Sequence, residues 1–95
     1  MSAYIIADVT VTDAERMAVY REWSTKAMRE HGAEVLVRGG EFEVLEGPWT
    51  PGRVVVLRFP DRAAAKAFYA GETYSHARTL REGACVMRMV VVDGI

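Results

Sequence analysis

The chain has one cysteine, Cys85, so it can form no internal disulfide, and a reducing compartment is its default setting. An excess of either charge is also missing. Twelve basic side chains against thirteen acidic ones leave a net charge of -1, without the basic footprint that nucleic acid or an anionic membrane surface requires. No apolar run approaches the length that spans a bilayer, and the first residues lack the basic-then-apolar order of a secretion signal. A cytoplasmic location is therefore expected, with neither nucleic acid nor membrane as partner. Gly39-Gly40 stands alone and matches no phosphate-cradling pattern, so no flavin or nicotinamide cofactor is expected. His31, His76 and Cys85 lack metal-ligand spacing, and no metal site is expected.

What the chain does have is apolar content. At 95 residues and 51% hydrophobic composition, one domain spanning residues 1–95 is expected to bury a single core. Tyr4 to Val11 is a β-branched run and reads as a strand. Thr12 or Asp13 can cap a helix from Ala14 to His31, and Gly32 stands where a left-handed cap belongs. Ala33 to Arg38 reads as a second strand, interrupted by Gly39-Gly40 as at a bulge, with Glu41 to Leu45 extended again. Glu46 to Gly52 holds two prolines and two glycines and must be a loop. A third strand, Arg53 to Phe59, precedes a helix from Arg62 to Tyr69 closed by Gly71. A short helix from Thr73 or Tyr74 to Glu82 and a last strand, Val86 to Val92, complete the order β-α-β-β-α-β. This is the α+β, ferredoxin-like order: a four-stranded antiparallel sheet with its helices on one face.

Side chains alternate along a strand, so each strand presents two sets. Ile5, Ala7 and Val9, with Leu57, Phe59 and Met89, suit the helix face. Tyr4, Ile6, Leu36, Val54, Val56, Val86, Val90 and Val92 fall on the other, which is apolar too but carries Asp8, Arg38, Arg58 and Arg88. An open apolar face of that size is rare on a monomer. A homodimer with sheets packed face to face would cover it and enclose a cavity near those charges. One carboxylate against three arginines leaves a positive surplus there, suited to an anionic or carbonyl-bearing ligand.

Val37-Arg38-Gly39-Gly40, Val44-Leu45-Glu46-Gly47-Pro48-Trp49-Thr50-Pro51, Arg53-Val54-Val55-Val56 and Phe59-Pro60 resemble the domain-of-unknown-function 1330 family. The likeness runs over almost the whole chain. It implies a dimeric α/β barrel of ferredoxin-like fold and no single activity. Relatives by fold include cofactor-free monooxygenases, small-ring isomerases, stress-response barrels and plain ligand binders. The residues that match its motifs are Arg38, Gly39, Gly40, Glu46, Trp49, Pro51, Phe59, Tyr69 and Tyr74.

The candidate catalytic residues are Arg38, His31 and Glu46. Arg38 offers forked donors, Glu46 a carboxylate, and His31 a group ready to exchange protons near neutral pH. The candidate substrate-binding residues are Asp8, Trp49, Arg58, Tyr69 and Tyr74, with Trp49 either a stacking wall or a loop anchor. Two classes of function stay open. One is a cofactor-independent enzyme, of isomerase, lyase or monooxygenase type, acting on a small aromatic or carbonyl/carboxylate compound in a dimer cavity. The other is a non-catalytic small-molecule-binding or structural dimerisation module.

Overall fold

Two helix starts follow directly from aspartate side chains. Asp13 accepts the amide of Arg16 at 3.1 Å and opens α1 (Ala14–Glu30), while Asp61 accepts the amide of Ala64 at 2.7 Å and opens α2 (Arg62–Ala70). Gly32 ends the first helical segment at φ +66°, a conformation that glycine adopts without steric cost. The strands are β1 (Ala3–Val11), β2 (Glu34–Arg38), β3 (Arg53–Phe59) and β4 (Cys85–Asp93), with α3 (Glu72–Leu80) before the last. The structure, a computed structural model, describes residues 1–95.

The four strands form one antiparallel sheet in the order β2-β3-β1-β4, the ferredoxin-like arrangement expected from the element order. All three helices lie on one face. Ala3, Ile5, Ala7, Val9, Leu57 and Phe59 are buried beneath them. Met17, Tyr20, Ser24, Ala27 and Met28 form the buried stripe of α1, at the three- and four-residue spacing of one helix face. Phe68 of α2 packs between Phe59 and Tyr74, with ring centroids 5.4 and 4.7 Å apart. The molecule measures 34 × 32 × 16 Å. The short axis is that of one sheet and one helix layer, so no helix covers the outer face of the sheet.

Three sequence expectations change. Glu41 to Leu45 forms no strand, and residues 40 to 52 form no regular element. Gly71 closes α2, as expected. At φ -66° and ψ 161° it is an extended link that also begins α3, one or two residues earlier than expected. That helix ends at Leu80 rather than Glu82, and Gly83, at φ +72°, lies in the turn before β4. Finally, the irregularity in β2 falls between Val35 and Val37, not at Gly39-Gly40. Val35 pairs with Leu57, but Val37 pairs with Val56 and Arg38 with Val55. One extra residue, Leu36, reverses the alternation, and Arg38 emerges on the helix face.

Candidate functional site

Between α1 and the sheet lies a cavity of about 60 Å³. That is room for a few waters or a very small group of atoms. Ile5, Ala7 and Leu57 line it from the sheet, Met17 and Met28 from α1, and Phe68 from α2. Thirteen of its seventeen lining residues are hydrophobic; the other four are Arg21, Ser24, Arg38 and Arg53. The polar groups in it therefore stand out against an apolar wall, the usual composition of a ligand site.

Two tyrosine hydroxyls meet inside. Tyr20 of α1 and Tyr74 of α3 share a hydrogen bond of 2.7 Å, with their rings edge to face and 6.1 Å apart. Both are buried, at 7% and 1% exposure. Burial is the main reason that both phenols titrate above the ordinary 10.0, and a charge on Tyr74 would raise Tyr20 further. Near neutral pH both hydroxyls keep their protons. Only one of these two protons is consumed by the shared bond, and the other is free to be donated.

Arginines gather at the rim. The side chain of Arg38 donates to the Thr25 hydroxyl at 2.7 Å, and that of Arg53 donates to the Arg38 carbonyl at 3.3 Å. Arg53 crosses directly over Gly39, where a Cβ would come within 2.3 Å of its guanidinium. Gly39 has φ +71°, and it is this backbone conformation that favours glycine there, since the Arg53 side chain could move aside. The three ion pairs of the chain are Arg58–Glu34, Arg62–Asp93 and Arg88–Asp8. Arg21, Arg38 and Arg53 belong to none of them, and this cavity carries an uncompensated positive rim.

The sequence candidates separate in space. Arg38 and Tyr74 come together at this cavity. Arg58 and Asp8 do not, because both lie on the outer face: Arg58 bonds Glu34 at 3.3 Å and Ser2 at 3.0 Å. Asp8, 12% exposed at its side chain, accepts from Trp49 Nε1 at 3.1 Å, the Gly52 amide at 2.8 Å and Arg88 at 2.8 Å. These bonds hold its carboxyl below the usual aspartate range, the Trp49 bond most of all. Trp49 is tied to the outer face and is itself half exposed. Glu46 is exposed in the loop and its side chain forms no bond. His31 caps α1 beside Phe68 and Gly71. Tyr69 accepts from Arg78 at 3.2 Å outside the cavity.

Three polar residues of the cavity were not singled out from sequence as site residues: Arg21, Ser24 and Arg53. Helical spacing alone places Tyr20 on the buried stripe of α1. A phenol in a helical stripe gives one available signal, since its polar tip needs a buried partner. A second groove of about 310 Å³ runs between α2 and β4, but Lys66 is the one lining residue that is not hydrophobic. It has area without converging donors.

The family model described as Domain of unknown function (DUF1330) matches residues 2–95. The chain belongs to this family. No curated protein matches it. Among solved structures, a protein of unknown function from Rhodopseudomonas palustris superposes with a TM-score of 0.78 at 21% identity, covering 99% of this chain and 82% of the other. A dimeric ferredoxin-like protein of unknown function from a Jannaschia species gives a TM-score of 0.71 at 14% identity over 99% and 100% of the two chains. SnoaB, a cofactor-independent oxygenase from Streptomyces nogalater (N63A mutant), gives 0.66 at 14% identity over 98% and 92%. At these identities the likeness establishes the fold of this DUF1330 chain, and dimers occur among its neighbours. No helix in the chain is long and apolar enough to cross a membrane.

Proposed function

We propose that this DUF1330 protein is a cofactor-independent enzyme for a small aromatic or enolisable carboxylate, bound in the helix-side cavity of each subunit. One observation carries the reading: three arginines without ion-pair partners rim an apolar cavity that contains two protonated tyrosine hydroxyls. A carboxylate would meet the forked donors of Arg38 or Arg53. A carbonyl or phenol oxygen would lie inside, near the tyrosine pair. Charge that develops on that oxygen, as in an enolate or phenolate, would be stabilised by a preorganised hydroxyl in a dry site. No carboxylate or histidine lines the cavity. The chemistry is thus best matched to compounds that form the oxyanion without a protein base, by loss of an acidic proton to water or by loss of carbon dioxide.

The cavity as it stands is smaller than a drug-sized pocket of about 300 Å³ or more. Admission of a ring therefore requires the Arg38 and Arg53 side chains to swing outward. The absence of a base and the small volume favour one second reading: a module that binds the same carboxylate without turnover. SnoaB shows that a fold of this kind can carry oxygenase activity without a cofactor, and it supports the enzyme class no further than that.

The outer face is assigned to a second copy of the chain. Ile6, Val86, Val90 and Val92 are exposed on it, Val90 at 58%, and the Jannaschia protein is described as dimeric. The single cysteine fits a cytoplasmic setting.

Native mass spectrometry of freshly purified protein, with NMR titration of benzoate and of a β-keto acid, tests the ligand. Bound benzoate should shift the Arg38 and Arg53 Nε–H resonances, and R38A should weaken it about tenfold or more. Consumption of the keto acid that is slowed by Tyr20→Phe separates enzyme from binder. No retained molecule and no arginine shift with either probe would sink the site.

A further inference from the structure

The two faces of the sheet are joined at one point. Asp8 points outward, yet the amide it accepts belongs to Gly52, the residue before Arg53. Gly52 packs closely on β1: a Cβ there would lie 2.3 Å from the Val9 carbonyl oxygen, so only glycine fits. The carboxylate on one side and the β1 backbone on the other thus fix where β3 begins. Arg53 pairs with Val9 and turns its side chain to the helix face. Its guanidinium then lies over Gly39 and bonds the Arg38 carbonyl, and the Gly39 amide donates to the Val54 carbonyl at 2.8 Å. Arg38 completes the series at Thr25 of α1.

We propose that Asp8 is a positioning residue for the arginine rim, acting through Gly52 and Arg53 from the face opposite the cavity. It touches no ligand. It sets the root of the 39–52 loop so that Arg53, and through it Arg38, points across the cavity mouth. The claim rests on the reading of that mouth as the binding site only for its effect on affinity; its effect on Arg53 itself is independent of any ligand. Trp49 and Arg88 share the same carboxylate, but neither bond leads to Arg53. Asp8 therefore has a directed connection that its other two partners lack.

Asp8→Asn is nearly isosteric and removes the charge that satisfies three donors at once. In arginine-selective NMR, D8N should turn the ordered Arg53 Nε–H group into a mobile one, seen as a loss of its heteronuclear NOE. Benzoate affinity should fall about fivefold. Gly52→Ala attacks the same bond from the other side, by pushing the amide off Val9, and should loosen Arg53 in the same way even if D8N folds poorly. Trp49→Phe keeps the Gly52 bond and should leave Arg53 ordered. An Arg53 group that stays rigid in both D8N and G52A overturns the proposal. So does a W49F variant that loosens Arg53 as much as D8N, since general slackening of the loop would then account for it. If wild-type protein ignores benzoate, the binding reading fails for that probe, and the Arg53 dynamics still decide the role of Asp8.

Discussion

The two faces of this sheet are built from similar residues and behave differently. On the helix face Ile5, Ala7, Val9, Leu57 and Phe59 are buried within the subunit, while on the outer face Ile6, Val86, Val90 and Val92 remain exposed. Their arginines differ in the opposite sense. Arg58 and Arg88, on the exposed face, are paired with Glu34 and Asp8. Arg38 and Arg53, at the edge of the covered face, have no ion-pair partner. Exposure alone would suggest a ligand site outside; the charge balance is what favours the inner cavity proposed above. Arg38 is exposed and Arg53 half-buried, so water can solvate both guanidiniums and leave them open to an anion, whereas a paired one has its partner already.

The contrast can be broken most forcefully in the covered layer. Phe68→Ala should destabilise the chain by about 3–5 kcal/mol, because the ring fills the space between Phe59 and Tyr74 and nothing can collapse into the hole. Urea denaturation measures it. A loss below about 1 kcal/mol would mean that the layer is loosely packed, and the cavity with it.

Tyr20→Phe comes next. It leaves the Tyr74 hydroxyl buried without its partner, at a cost of about 1–3 kcal/mol near neutral pH. The pH dependence has a definite sign. Both phenols are held above their unfolded value of 10.0, so the folded state retains protons that the unfolded state releases. This contribution is complete below about pH 10 and is lost as the pH rises above it. Wild-type protein should therefore show phenolate absorbance from this pair only as it unfolds. The variant, with one such group fewer, should lose less of its remaining stability over the same alkaline range. Circular dichroism followed against pH compares the two. Early ionisation of either tyrosine without loss of structure would show that the cavity is open to water.

On the outer face, Val90→Asp should leave the unfolding of the isolated subunit nearly unchanged and weaken self-association about tenfold or more, or about 1.4 kcal/mol. Sedimentation over a concentration series measures this. A wild-type chain that is monomeric at micromolar concentration would leave the outer face wet, and the proposed dimer would be lost without disturbing the cavity, since no residue of a second copy is needed to line it.

Much of the fold was legible because three strands keep unbroken registers. β1 pairs with β3 from Ala3 to Val9 and with β4 from Ala3 to Val11, so simple alternation sorts their side chains correctly. Asp13, Gly32 and Gly71 likewise mark real boundaries. The site was much less legible, and one residue is responsible for most of that. Leu36 carries the extra position of the β2 bulge, yet it has no glycine-like freedom that would announce it, while Gly39-Gly40 nearby attracts the assignment. The slip moves Arg38 from the outer set to the helix set. Arg53 sits at a strand start, where alternation has little to anchor it. The Tyr20–Tyr74 pair joins residues 54 positions apart, and helical periodicity registers each only as an apolar surface.

The smallest expected effect concerns the Arg58–Glu34 pair, and it sharpens the comparison between faces. Its side chains are 47% and 58% exposed, and β2 is an edge strand. Even with a second subunit on the outer face, this pair should sit at the rim, where water still reaches it. Glu34→Gln should then change stability by no more than about 0.5 kcal/mol, and molar salt should erase the difference. Thermal melts at low and high salt read both quantities. A loss of several kcal/mol that persists in salt and grows with protein concentration would place Arg58 in a dry interface without its partner. The covered region of the outer face would then extend to the β2 edge, and the distinction between a paired, wet face and an unpaired, dry one would hold only for Asp8 and Arg88.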